Sequence, residues 1–273
     1  MTLMRLNFMS TSLQRTIPLI VTLPTDKVVA GQAVQPPFKT LYLLPGTLGS
    51  EVDWISGTRI QRWADDRNLA VVMMAGENAF YVDHPWRGEY YSRLVGEELV
   101  AFTRRTFPLS TARADTYLGG LSMGGYGAVY NGLKYHQTFG AIIGLSAAVG
   151  LKQALFNGGI EAGWFGSRDY WASVFGPQLA NFDQTPFNLP VLVQQLLAAR
   201  EPLPAIYLAV GEADDLLTMN QEFDQFLTAN RVAHTFVTGP GAHEWDFWDR
   251  YLKQALDWLP LDQPVAGRSS GHI

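Results

Sequence analysis

Gly120-Leu121-Ser122-Met123-Gly124 sets a serine between two glycines at the spacing G-x-S-x-G. A serine in that setting sits on a sharp turn between a strand and a helix, with its hydroxyl exposed as a nucleophile. The glycines are needed because side chains there would collide with the tight turn. The helix that follows offers free N-terminal amides and a positive dipole end to a developing anion. The same spacing recurs at Gly267-Arg268-Ser269-Ser270-Gly271. Only Ser122, however, follows a strand-like run (Thr116-Tyr117-Leu118) and precedes a helical one, whereas Ser269 lies in a polar tail. The segment around Ser122 lacks the spacing of a phosphate loop. The plain alternative is a glycine-rich turn without chemistry.

A serine hydroxyl is a poor nucleophile near neutral pH and needs an adjacent base, usually a histidine oriented by a carboxylate. Of five histidines, His272 lies in the tail, His136 ends the helix after Ser122, and His234 begins the last strand, at the wrong end. His84, in Asp83-His84-Pro85, could approach the site; His243, in Gly239-Pro240-Gly241-Ala242-His243-Glu244-Trp245, follows the last strand on the correct edge. His243 is therefore the expected base and His84 the rival. The acid should follow another strand end, and Gly211-Glu212-Ala213-Asp214-Asp215-Leu216 supplies three carboxylates there. A solvated acidic turn is the plain reading, with Asp215 capping the helix near Leu216. Serine, acid and histidine in that chain order are the order of α/β-hydrolases. Two backbone amides should hold the oxyanion. One belongs to Met123, after the nucleophile. The other comes from Leu44-Pro45-Gly46-Thr47-Leu48-Gly49, with Thr47 favoured and Leu48 second.

The elements that must position these residues follow from periodicity. Runs 3–8 and 17–23 read as an early hairpin. Runs 40–44, 69–75, 116–121, 140–145, 205–210 and 234–238 read as further strands, the continuous apolar ones covered on both faces. Segments 92–107, 124–136, 217–230 and 244–259 read as helices. The last sets Trp248, Leu252, Ala255, Leu256 and Leu259 on one stripe. Alternation of this kind implies an α/β fold with a mostly parallel central sheet flanked by helices. Ligands should then bind beyond the carboxyl ends of the strands. Residues 1–262 read as one domain and 263–273 as a flexible tail. Segment 150–204, rich in Gly, Pro and aromatics such as Phe156, Trp164 and Trp171, reads as a small cap-like insertion folding over the sheet edge. Its aromatics either pack on each other or shape an apolar pocket, with Leu48, Trp164 and Trp245 as candidate pocket residues.

Composition narrows the class. At 273 residues the chain can bury a sizeable core unaided, and it has no cysteine. Disulfides, thiolate metal sites and a cysteine nucleophile are therefore excluded. A net charge of −5 with no basic block argues against nucleic acid. The longest nearly apolar stretch, 141–151, is about half of the ~20 residues that a spanning helix needs, and the N-terminus has no signal-peptide core. A cytoplasmic location without membrane insertion is the expectation.

Several segments together resemble the α/β-hydrolase esterase family that holds tributyrin esterases, S-formylglutathione hydrolases and some feruloyl esterases. They are Leu19-Ile20-Val21-Thr22-Leu23-Pro24, Leu41-Tyr42-Leu43-Leu44-Pro45-Gly46, Glu97-Glu98-Leu99, the stretch from Gly120 to Ala128, Gly211-Glu212-Ala213-Asp214 and Gly241-Ala242-His243-Glu244-Trp245. The resemblance covers about residues 3–260. It implies Asp214 rather than Asp215 as the acid, and the Thr47 amide as the second oxyanion donor. Tributyrin esterase-like members, the nearer branch, usually show His-Gly where this chain has Pro45-Gly46. S-formylglutathione hydrolases usually carry a cysteine just beyond that glycine, and this chain has none.

The resulting expectation is a serine carboxylic ester hydrolase for small short-chain acyl esters. It would work through an acyl-enzyme on Ser122, His243 and Asp214, with no metal or organic cofactor. Feruloyl/cinnamoyl or acetyl esterase, S-formylglutathione hydrolase and acyltransferase are the alternatives on the same residues. A non-catalytic binding module would require a broken triad. A metal-dependent hydrolase on His84, His243, Asp214 and Asp215 lacks H-E-x-x-H spacing. A homo-oligomer is compatible with the sequence.

Overall fold

The eight strand-like runs assemble into one eight-stranded sheet in the computed structural model, which describes residues 1–151 and 164–265. In chain order the strands are β1 (Thr2–Ser10), β2 (Arg15–Leu23), β3 (Thr40–Leu44), β4 (Ala70–Met74), β5 (Thr116–Leu121), β6 (Ala141–Leu145), β7 (Ala205–Gly211) and β8 (His234–Gly239). Across the sheet they lie in the order β1-β2-β4-β3-β5-β6-β7-β8. β2 runs antiparallel to β1 and β4, and the remaining neighbours pair in parallel.

Eight helices matter for the site: α1 (Asp53–Gly57), α2 (Ile60–Asp66), α3 (Leu99–Thr106), α4 (Met123–Lys134), α5 (Arg168–Phe175), α6 (Leu189–Ala199), α7 (Leu217–Ala229) and α8 (Trp245–Trp258). Because successive strand residues face opposite sides, the central strands feed two cores. Leu41, Leu43, Val71, Met73 and Ile143 pack with Trp54 of α1, Trp63 of α2 and the apolar stripe of α8. Tyr42, Leu44, Val72, Met74 and Ile142 pack with residues of α3, α4, α6 and α7 on the other face. The expected stripe of Trp248, Leu252, Ala255, Leu256 and Leu259 is buried throughout.

Two parts of the structure depart from the sequence reading. Helices α1 and α2 stand in a stretch with no assigned element. Within segment 150–204, α6 packs on α4 as an ordinary flanking helix. Among the segment's described residues, Phe165, Tyr170 and Trp171 of the aromatic block before it line the cavity. Phe156 and residues 266–273, hence Ser269, His272 and most of the expected tail, lie outside the described residues. Just before them, the Val265 N–H donates to the Asp66 carbonyl at 2.8 Å.

After β3 the chain goes outward to β4, then returns to β5 on the other side of β3. That reversal opens a crevice at the carboxyl ends of β3 and β5, where ligands bind in such sheets. The parallel arrangement brings the loops after β3, β4, β5, β6, β7 and β8 to the same end.

Candidate active site

Ser122 joins β5 to α4 with φ +55° and ψ −121°, a backbone conformation that side-chain-bearing residues rarely adopt. Such strain costs about 1–3 kcal/mol and persists only where the surroundings hold it. Here the Ser122 N–H donates to the Leu145 carbonyl at 3.0 Å, and its own carbonyl accepts the N–H groups of Tyr126 (3.0 Å) and Ala148 (3.1 Å). The turn also demands bare backbone: a Cβ on Gly124 would stand 2.1 Å from the Leu44 carbonyl oxygen, and one on Gly120 would stand 2.1 Å from that of Gly124.

Asp214 leaves the end of β7 with its side chain fully buried, while His243 leaves β8 about one-third exposed. The imidazole Nδ1 lies 3.1 Å from both carboxylate oxygens of Asp214. With Nδ1 donating to that carboxylate, Nε2 remains as a proton acceptor. Burial pushes the Asp214 carboxyl up. Hydrogen bonds from His243, the Ser146 hydroxyl and the Leu216 N–H (2.8 Å) more than offset this and hold it below the usual carboxylate value. The other two acids of the turn, Glu212 and Asp215, are exposed. Asp214, not Asp215, receives the amide at the start of α7. The His243 ring meets Trp248 edge-on at 5.0 Å, and the Trp248 indole N–H donates to the Ser146 hydroxyl at 3.0 Å.

Ser122 and His243 line one cavity of about 470 Å³. Gly46, Thr47, Leu48 and Met123 form part of its wall, as do Phe80, Phe165, Tyr170, Trp171, Trp245 and Trp248. Gly46 abuts the serine: a Cβ built on it would lie 3.2 Å from the Ser122 Cβ. The Leu48 N–H is engaged by the Asn78 side-chain oxygen at 2.7 Å. Among the described residues, the Thr47 and Met123 amides have no hydrogen-bond partner. A part-exposed hydroxyl, a carboxylate-bound imidazole and two free amides around one aromatic-walled cavity can carry out nucleophilic acyl transfer.

The comparisons agree with that chemistry. The model of the Esterase family matches residues 10–259. The chain belongs to the Esterase family. This esterase is 36% identical over 265 residues to an acetyl esterase of Caldicellulosiruptor saccharolyticus, a match spanning 95% of this chain and 98% of the relative. Among solved structures it resembles FphF, a fluorophosphonate-binding serine hydrolase of Staphylococcus aureus. The TM-score is 0.82 at 26% identity, covering 94% of this chain and 98% of that one. The S-formylglutathione hydrolase FrmB of the same organism gives a TM-score of 0.81 at 27% identity, with the same coverage. The protein is thus an esterase-type serine hydrolase with an α/β-hydrolase fold.

In this esterase the structure brings together Ser122, Met123, Thr47, Leu48, Asp214, His243 and Trp245. It does not bring Trp164 into the cavity wall. That ring is 59% exposed, with its neighbour Phe165 lining the cavity and Trp164 edge-on to Tyr170 at 6.2 Å. His84 is buried between the rings of Trp86 and Tyr91, away from the cavity, so the cluster weighed for a metal does not form. His136 pairs with Glu201 and His234 with Asp224, both elsewhere. Of the insertion's aromatics, Phe165, Tyr170 and Trp171 line the cavity, whereas Phe175 and Phe182 pack on each other. The sequence reading missed Phe80, Ser146 and Asn78. Each follows the carboxyl end of β4 or β6, so the strand-end rule pointed at their loops.

Proposed function

We propose that this esterase hydrolyses short-chain acyl esters of small alcohols through an acyl-enzyme on Ser122. The Ser122 Oγ attacks the ester carbonyl carbon while His243 Nε2 takes its proton. Asp214 holds the imidazole in orientation and stabilises its cation. The Met123 and Thr47 amides receive the oxyanion. As the tetrahedral intermediate collapses, the carbon–oxygen bond to the alcohol breaks and His243 returns the proton to the leaving oxygen. Water then attacks the acyl-enzyme with His243 again as base, releasing the carboxylic acid and regenerating Ser122.

One observation carries this reading: a serine on a left-handed elbow shares a cavity with a histidine whose Nδ1 is bound to a buried carboxylate. The engagement of the Leu48 amide by Asn78 favours Thr47 as the second donor. The cavity, at about 470 Å³ and walled by aromatics, suits a short acyl group. So does the nearly full-length similarity to an acetyl esterase. A second reading, hydrolysis of a formyl thioester, is supported by the likeness to FrmB. We rank it lower because the chain has no cysteine.

Hydrolysis of p-nitrophenyl esters from acetate to laurate, with Ser122→Ala in parallel and S-formylglutathione as competitor, tests the proposal. The expected result is a kcat/KM maximum at the short esters and a loss of about 10³-fold or more in the variant. Equal activity of the two proteins, or a maximum at laurate, would overturn it.

A further inference from the structure

The loop after β4 holds an unusual concentration of backbone strain. Glu77 (φ +49°), Asn78 (+58°), Phe80 (+50°) and Tyr81 (+55°) are all left-handed, and none is glycine. A run of this kind survives only if its surroundings over-determine it. The Tyr81 carbonyl accepts the side-chain amide of Asn131 in α4 at 3.0 Å, and the Asn78 carbonyl accepts the Tyr170 hydroxyl of α5 at 2.8 Å. Tyr81 is fully buried against Gly76 and Gly127.

This fixed segment grips the loop after β3 at two points. The Tyr81 hydroxyl donates to the Pro45 carbonyl at 2.9 Å, and the Asn78 Oδ1 accepts the Leu48 N–H at 2.7 Å. Gly46 and Thr47 lie between the two anchors, and the loop's own contribution is one turn bond, the Gly49 N–H to the Gly46 carbonyl at 3.2 Å. Side-chain packing cannot hold the far end, because Leu48 is left-handed (φ +62°) and 79% exposed.

We infer that segment 77–81 is a clamp that aims the Thr47 amide at the oxyanion, and that Asn78 is its positioning residue. The inference rests on the proposed role of Thr47. Asn78 suits the post for two reasons. Asparagine tolerates the left-handed conformation better than most residues, and its short amide places an acceptor next to its own backbone. A donor aimed beforehand at the developing charge stabilises the transition state more than the ground state, so its loss lowers kcat rather than raising KM.

Asn78→Gly keeps the backbone conformation and removes the acceptor; Asn78→Ala is the second variant. Each is compared with the parent and with Ser122→Ala on p-nitrophenyl acetate. The melting temperature and inhibition by an alkyl boronic acid, whose serine adduct is a tetrahedral anion, are read alongside. The expected result is a kcat lower by roughly 10- to 100-fold, since a small misplacement near the chemistry can cost about that much. KM should stay within about twofold and the melting temperature should hold. Boronate affinity should fall by the same factor as kcat. A kcat within about threefold of the parent in both variants overturns the clamp. So does a loss matched by a lower melting temperature with no weakening of the boronate. If the parent is inactive, or Ser122→Ala is as active as the parent, the proposed nucleophile fails instead.

Discussion

Asp214 stays ionised because of its partners and despite its burial. Ser146 is one of those partners, and its own position is strained: it is fully buried at the end of β6 with φ +45°. Its oxygen accepts the Trp248 indole N–H at 3.0 Å, which leaves its proton for the carboxylate. The serine therefore ties α8, the helix following His243, to the carboxylate that is hydrogen-bonded to His243. A hydrogen bond to a charged group contributes about 1.5–3 kcal/mol. Ser146→Ala should lower kcat roughly tenfold and leave KM nearly unchanged if half or more of that energy is felt in the transition state. Ser146→Gly, which relieves the backbone strain, should lose as much, because the hydroxyl rather than the conformation matters. Steady-state kinetics of the two variants check this. Parent-like kcat in either variant would remove Ser146 from the account.

Elements hold these residues through their ends. Segment 92–107 reads as one helix in sequence, but the structure places a π-helical turn, Leu94–Glu98, ahead of α3. Glu98, at the close of that turn, accepts four hydrogen bonds from the bend between β1 and β2. The donors are the Ser10 hydroxyl (2.7 Å), the Thr11 N–H (2.6 Å), the Thr11 hydroxyl (2.8 Å) and the Ser12 N–H (3.1 Å). Partial burial pushes the Glu98 carboxyl up, but these donors pull it down to about 2. The folded-state pKa thus lies below the ordinary glutamate value of 4.5. The carboxylate's contribution is complete above that value and is lost as pH falls from about 4.5 towards 2. Glu98→Gln should cost about 1 kcal/mol at neutral pH, a modest figure because the group is partly solvated. Its gap from the parent should narrow at pH 3. Urea unfolding at the two pH values measures this, and a gap independent of pH would show that charge is not what holds the bend.

At the scale of the molecule, six strand ends converge on one crevice, and most of that convergence could be read from residue types. Strands β3 and β5 have the boundaries read from sequence because Pro45 and Ser122 punctuate continuous apolar runs. The turns that carry Asp214 and His243 are legible because each follows a strand-like run and bears glycine, whereas the choice of Asp214 among three acids rests on the family resemblance. Helices α1 and α2 escaped because Gly57-Thr58-Arg59 divides a pattern already too short for periodicity to show. Helix α6 was absorbed into the aromatic insertion because Pro190 at its start reads as loop. Asn78 and Ser146 escaped for a different reason: each sits at a left-handed φ that no residue type announces. Trp164 and Phe165 are both large aromatics, and only the direction of the chain decides which faces the cavity.

The proposed chemistry stands or falls on whether the acyl group passes through Ser122. Rapid mixing with p-nitrophenyl acetate, acid quench and mass mapping of the peptides tests it most directly. A burst of p-nitrophenol with one acetyl group on Ser122 is expected, and neither in Ser122→Ala. Turnover with no acetyl on Ser122, or acetyl accumulating on another residue at the burst rate, would contradict it.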